Sequence, residues 1–125
     1  MAIFETITAV ALAAASLAGP ASPENASYAL RLSQTDSSGG YARATLTCKE
    51  PAGSVKDPAK ACAVLEAAGG KFSAIEEAST ACPLNFAPVT VAVTGRWNGE
   101  AVDYKNEFPN ACNASNATQG IFPLK

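Results

Sequence analysis

Large apolar residues alternate with small or polar ones over four stretches of the chain, and each stretch predicts a strand. Tyr28-Ala29-Leu30-Arg31-Leu32 is the first. Tyr41 to Cys48 is the second, with Ala42, Ala44, Leu46 and Cys48 on one face and Tyr41, Arg43, Thr45 and Thr47 on the other. Threonine and tyrosine suit a pleated surface, which favours strand over helix here. In the third, Val89, Val91 and Val93 alternate with Thr90, Ala92 and Thr94, and Trp97 continues the valine face. Core packing is the expected role of Trp97. Asn98-Gly99 follows, a pair that accepts the positive φ needed at both centres of a type I′ hairpin turn. A return strand then runs from about Ala101 to Phe108, with Val102 and Tyr104 on one face.

One stretch changes to helical spacing. Ala61, Val64, Leu65 and Ala68 share a face at that period. Asp57 is placed as the N-cap, and Pro58 sits at the first helical position, where its missing N–H costs nothing. Gly69-Gly70 ends the helix, because glycine accepts the left-handed C-cap conformation. Asp36 to Gly40 reads as a turn, Glu50 to Lys56 as a loop and Glu76 to Thr80 as an exposed segment. Phe72 and Ile75 read as anchors of a short strand or turn. The tail from Asn113 is polar and then apolar at Ile121-Phe122, which is expected to close back on the core. The elements sum to one α+β domain, an antiparallel sheet with one main helix packed on it as a two-layer sandwich.

Composition narrows the chemistry. The chain of 125 residues has a formal charge of −2 and no basic cluster, so neither nucleic acid nor a membrane surface is expected as a partner. It contains no histidine. That removes the Ser-His-Asp triad, the Cys-His pair and histidine-ligated zinc, and no other catalytic constellation is gathered by the sequence. No enzyme activity and no cofactor are therefore expected. Ile7 to Ala18 is an apolar run too short to span a bilayer and of the right length for an export signal, with small residues Gly19-Pro20-Ala21 after it. Residues 1–21 are expected to be a signal peptide and residues 22–125 the exported domain. Four cysteines in a small exported domain are most simply two disulfides. No pair is spaced C-x-x-C, so no metal site is expected, and three pairings are open. Asn25, Asn113 and Asn116 each begin an Asn-X-Ser/Thr glycosylation pattern, which arises easily by chance.

The densest chemical signal is Ala81-Cys82-Pro83-Leu84-Asn85-Phe86-Ala87-Pro88. A large apolar residue stands between a cysteine-proline pair and a second proline. Proline fixes φ, and a disulfide fixes position, so the segment can be extended, stiff and exposed together. Such a segment offers a peptide bond to a protease active site and resists digestion, with Leu84 as the bait.

Further motifs surround that segment in a specific order. Thr47-Cys48, Asp57-Pro58-Ala59-Lys60-Ala61-Cys62 and Leu65-Glu66-Ala67-Ala68-Gly69-Gly70 precede it. Pro88-Val89-Thr90-Val91, Gly95-Arg96-Trp97-Asn98-Gly99, Val102-Asp103-Tyr104 and Phe108-Pro109-Asn110-Ala111-Cys112 follow. This series, from about Ser27 to Phe122, resembles the Streptomyces subtilisin inhibitor family. The resemblance implies a secreted, extracellular inhibitor of subtilisin-like serine proteases, with a five-stranded antiparallel sheet, one main and one short helix, and a homodimeric state. It implies the pairs Cys48–Cys62 and Cys82–Cys112. It implies a reactive bond between Leu84 and Asn85, a protease-binding loop of Ala81, Cys82, Pro83, Leu84, Asn85 and Phe86, and loop support from Asn110 and Pro88. Ala81 stands where the family commonly has a larger side chain, and Asn85 is an uncommon choice after the bond. A secreted interaction module that keeps the scaffold and has lost inhibition is the alternative expectation.

Overall fold

The computed structural model describes residues 27–124. The expected signal, residues 1–21, lies outside the described residues, as does all of the proline-containing lead-in before Ser27.

The strands are β1 (Ala29–Asp36), β2 (Tyr41–Thr47), β3 (Ala52–Gly53), β4 (Val89–Trp97) and β5 (Glu100–Phe108). They form one five-stranded sheet in the order β3-β2-β1-β4-β5, and every neighbouring pair is antiparallel. Among the described residues, two helices, α1 (Pro58–Ala67) and α2 (Ala111–Thr118), and a 3-10 turn over Phe72–Ala74 accompany the sheet. This is the expected α+β architecture.

Register explains which side is the core. Leu32 lies opposite Ala44 on one neighbour and Val93 on the other, and Val93 in turn faces Tyr104. Directly paired residues share a face, so one side of the sheet collects Leu30, Leu32, Ala44, Leu46, Val89, Val91 and Val93, all buried. Ala61 and Leu65 of α1, then Phe72, Ile75, Ala114, Ile121, Phe122 and Leu124, close over them. The other side carries Arg31, Thr35, Tyr41, Arg43, Thr45, Thr94, Arg96, Asp103 and Lys105, and all of these are exposed.

Helix α1 has the ends its sequence dictates. The Asp57 side chain accepts from the Lys60 N–H at 3.2 Å. At the far end the Gly70 N–H reaches the Leu65 carbonyl at 2.8 Å and the Gly69 N–H reaches Glu66 at 3.1 Å, a Schellman closure. Gly70 is required twice over: its φ is +82°, and a Cβ there would overlap the Trp97 ring. Trp97 packs against the core and meets Tyr28 edge-on with centroids 5.1 Å apart, in keeping with a packing role. Asn98 and Gly99 both have positive φ, 52° and 80°, as the hairpin turn demands.

Two local expectations are corrected. β1 continues past Leu32 to Asp36, because it is the central strand and pairs on both sides from Leu30 to Thr35. The stretch read as a loop from Glu50 contains β3, whose two residues pair with Leu46 and Thr47. Of the two forms expected around Phe72 and Ile75, the structure has the turn: both side chains are buried, and Phe72 lies in the 3-10 turn. The short helix that the resemblance implied is α2, which covers the polar start of the tail around Asn113, where the sequence carries no apolar period.

Candidate functional site

The segment from Ala81 to Ala87 has no regular secondary structure and is exposed except at Cys82, which is half-buried. Leu84 is fully exposed, at 100%, and Phe86 is 80% exposed. Leu84 and Phe86 together put two large apolar side chains in solvent two residues apart on one strip, and it is the pair on a pinned segment that marks the site.

Three devices hold this exposed strip. The first is covalent. Cys82 pairs with Cys112 in the second residue of α2, with Cα atoms 5.7 Å apart. The other bond joins Cys48, just past β2, to Cys62 in α1, with Cα atoms 5.4 Å apart. Both pairs are those the resemblance implied. Each closes a loop whose removal from the unfolded chain's freedom is worth about 3 kcal/mol in the entropy model.

The second device is Asn110, a buried polar residue at 4% exposure. It is the N-cap of α2, with its Oδ1 accepting from the Asn113 N–H at 3.0 Å and from the Asn113 Nδ2 at 3.0 Å. Its oxygen is thereby committed to the helix, so its Nδ2 must face the loop. There it donates to the Pro83 carbonyl at 3.2 Å and the Asn85 carbonyl at 2.9 Å. The two acceptors flank the Leu84–Asn85 bond, so one amide grips the chain on both sides of it.

The third device is backbone pairing at the far end. The Ala87 N–H donates to the Pro109 carbonyl at 2.8 Å. Pro88 accepts from the Ser37 N–H at 3.2 Å, which joins the loop to the turn between β1 and β2. That turn is organised by Asp36, whose Oδ1 accepts from the Ser38 hydroxyl at 2.6 Å, the Gly40 N–H at 2.8 Å and the Ser38 N–H at 2.9 Å. The Ser38 hydroxyl above all, with the Gly40 N–H after it, holds the Asp36 carboxyl below its ordinary value of 3.8.

Sequence reasoning named every residue of this loop, Pro88 and Asn110. It missed the Asp36 turn as a neighbour of the loop, and it missed Asn113 and Asn116. The Asn113 amide is bonded to Asn110, and the Asn116 amide donates to Thr80, so both glycosylation-pattern asparagines of the described residues have their Nδ2 in use. Among the described residues no group of three or more His, Cys, Asp or Glu is placed to hold a metal ion. No helix among them is long and apolar enough to cross a membrane.

A one-layer sheet backed by helices, presenting a disulfide-pinned apolar residue to solvent, has the form of a protein that is read by another protein's cleft. Residues 26–110 match the subtilisin inhibitor-like family. The chain belongs to that family, which is one of protease inhibitors and not of enzymes. A protein of Streptomyces avermitilis is 42% identical over 79 residues, 63% of this chain and 53% of its own length. The chain therefore spans about half of that relative. Protease inhibitor SIL-V2 of Streptomyces orinoci is 42% identical over 98 residues, which cover 74% of this chain and 90% of the inhibitor. Among solved structures, Streptomyces caespitosus sermetstatin in complex with Bacillus licheniformis subtilisin matches with a TM-score of 0.58 and 31% identity. That match covers 75% of this chain and 94% of sermetstatin.

Proposed function

We propose that this chain is a secreted, substrate-like inhibitor of subtilisin-type serine endopeptidases, with Leu84–Asn85 as its reactive bond. The observation that carries the reading is the full exposure of Leu84 on a strip pinned by Cys82–Cys112 and by Asn110. The homologue crystallised with subtilisin supports the choice of partner. Apolar pockets of chymotrypsin-like enzymes accept the same side chain. The export signal expected in residues 1–21 and the two disulfides support secretion.

The strip docks as an added strand through main-chain hydrogen bonds, and Leu84 fills the primary pocket. Burying a leucine contributes roughly 1.5 to 3 kcal/mol. Nanomolar binding needs about 12 kcal/mol. Main-chain pairing supplies part of the difference, and preorganisation prevents its loss: Pro83, the disulfide and Asn110 have already removed the conformational freedom that docking would otherwise remove. If the bond is cut, the disulfide holds the Leu84 side and the Ala87–Pro109 bond holds the Asn85 side. The new termini remain together, so resynthesis of the bond competes with release.

The second reading, a scaffold without inhibition, is favoured by Ala81, whose short exposed side chain offers a neighbouring pocket little area. Titrating subtilisin with the oxidised protein separates the two. Loss of activity near one site per enzyme supports inhibition. Full activity together with rapid scission of the loop supports the second reading.

Homodimer formation is the remaining proposal. It rests on the family resemblance, and the exposed side of the sheet, with Tyr41 61% exposed beside Arg43, is the surface available for it.

A further inference from the structure

We infer that Asn116 is a positioning residue for inhibition, a second amide clamp that fixes the direction in which the chain enters the reactive bond. The inference rests on the inhibitor reading above. Asn116 lies one helical turn beyond Cys112 on α2, on the same face as the disulfide. Its Nδ2 donates to the Thr80 carbonyl at 2.6 Å and lies 3.4 Å from the Cys82 sulfur. Its own carbonyl accepts from the Ala78 N–H at 2.9 Å. One turn further, Gln119 Nε2 donates to the Glu76 carbonyl at 2.7 Å.

These contacts form a ladder. The segment from Glu76 to Asn85 runs along α2 in the opposite direction, and Gln119, Asn116, Cys112 and Asn110 hold it at successive points. The ladder does something the disulfide alone does not. A single tether fixes one point of a chain and leaves it free to swing about that point. A second fixed point two residues upstream removes the swing. With Thr80 and Cys82 both held, the direction of Pro83 and Leu84 is set before a protease arrives. After scission the Leu84 carboxylate stays aimed at the new amine of Asn85.

The held residues from Glu76 to Ala81 are exposed and add no apolar burial. Losing the clamp should therefore alter the loop and leave the fold intact. The test uses the oxidised full chain and its Asn116→Ala, Asn116→Asp and Asn116→Gln variants. Each is incubated with a catalytic amount of subtilisin until the ratio of cut to intact chain is constant, then reduced and separated. Asn116→Ala and Asn116→Asp, which lack the donor, are expected to raise that ratio about three- to tenfold, the effect of losing one net hydrogen bond. Asn116→Gln, which keeps the donor, is expected to return at least half of the shift. Melting temperatures are expected to match that of the parent. A ratio unchanged in Asn116→Ala overturns the inference, and so does a shift accompanied by a matching fall in melting temperature, which marks a purely structural role. A parent chain that neither inhibits subtilisin nor is cut at Leu84–Asn85 overturns the inhibitor reading itself, an outcome distinct from a parent that inhibits beside variants that behave identically.

Discussion

Asn110 uses both ends of its amide, and no other N-cap residue would serve. Serine, threonine and aspartate cap a helix as well as asparagine does, but none can also donate to two carbonyls on the far side. Asn110→Asp should therefore separate the two tasks. The carboxylate keeps the cap and suits the positive end of the helix. It withdraws the donor from Pro83 and Asn85. We expect a lowered melting temperature in calorimetry, because the buried carboxylate faces the Pro83 and Asn85 carbonyl oxygens, with weaker subtilisin inhibition and faster scission of the loop. Asn110→Ala loses both tasks and should also cost about 1 kcal/mol of stability. Equal inhibition by Asn110→Asp and the parent would remove the amide from the mechanism. Leu84 has the opposite character, since nothing in the fold depends on it. Leu84→Lys should leave stability unchanged and redirect inhibition toward trypsin, whose pocket holds an acid. A trypsin assay that shows no gain would count against Leu84 as the residue that enters the pocket.

Among the elements, the turn between β1 and β2 carries a carboxyl that its hydrogen bonds make more acidic. Asp36 is more acidic in the folded chain than in the unfolded one. Its contribution is therefore present above the unfolded value and fades as pH falls through the lower folded value. The turn should hold across the neutral and mildly acid range and loosen only below the ordinary aspartate value of 3.8. The Gly40 amide shift, followed by NMR against pH, should report a midpoint under that value. Asp36→Asn should abolish the transition, and a persisting one would assign it to another group. This turn was legible as a turn, but its contact with Pro88 was not, because tertiary contact between distant segments leaves no local pattern. Helix α1 and the β4–β5 hairpin were legible for local reasons: Gly69-Gly70 and Asn98-Gly99 fill positive-φ positions that few residues accept, and Asp57-Pro58 supplies a cap acceptor and a first helical residue that needs no N–H. Helix α2 was legible only through family resemblance. Its buried positions are Ala114 and Thr118, too small and too polar to mark an apolar face. Thr118 is tolerated inside because its hydroxyl donates to the Ala114 carbonyl at 2.8 Å and accepts from the Phe122 N–H at 3.0 Å.

For the whole molecule, the two sides of the sheet have different fates. One is sealed by the helices and the tail, which is tied to β1 where Gln34 Oε1 accepts from the Leu124 N–H at 2.8 Å. The other is the surface proposed for pairing with a copy. Sedimentation should show a dimer, and Thr45→Lys together with Thr94→Lys should dissociate it by placing added charges at the centre of a desolvated face. A monomeric parent would end the dimer proposal and leave inhibition untouched. The covalent and amide anchors of the loop have one more consequence, set by chain order. Residues 81–88 leave the ribosome well before Asn110, Cys112 and Asn116 do. Until those later residues emerge, the bait is an ordinary flexible peptide. An unfinished or truncated chain is thus food for the same enzymes that the completed one would stall, and only full-length synthesis turns prey into trap.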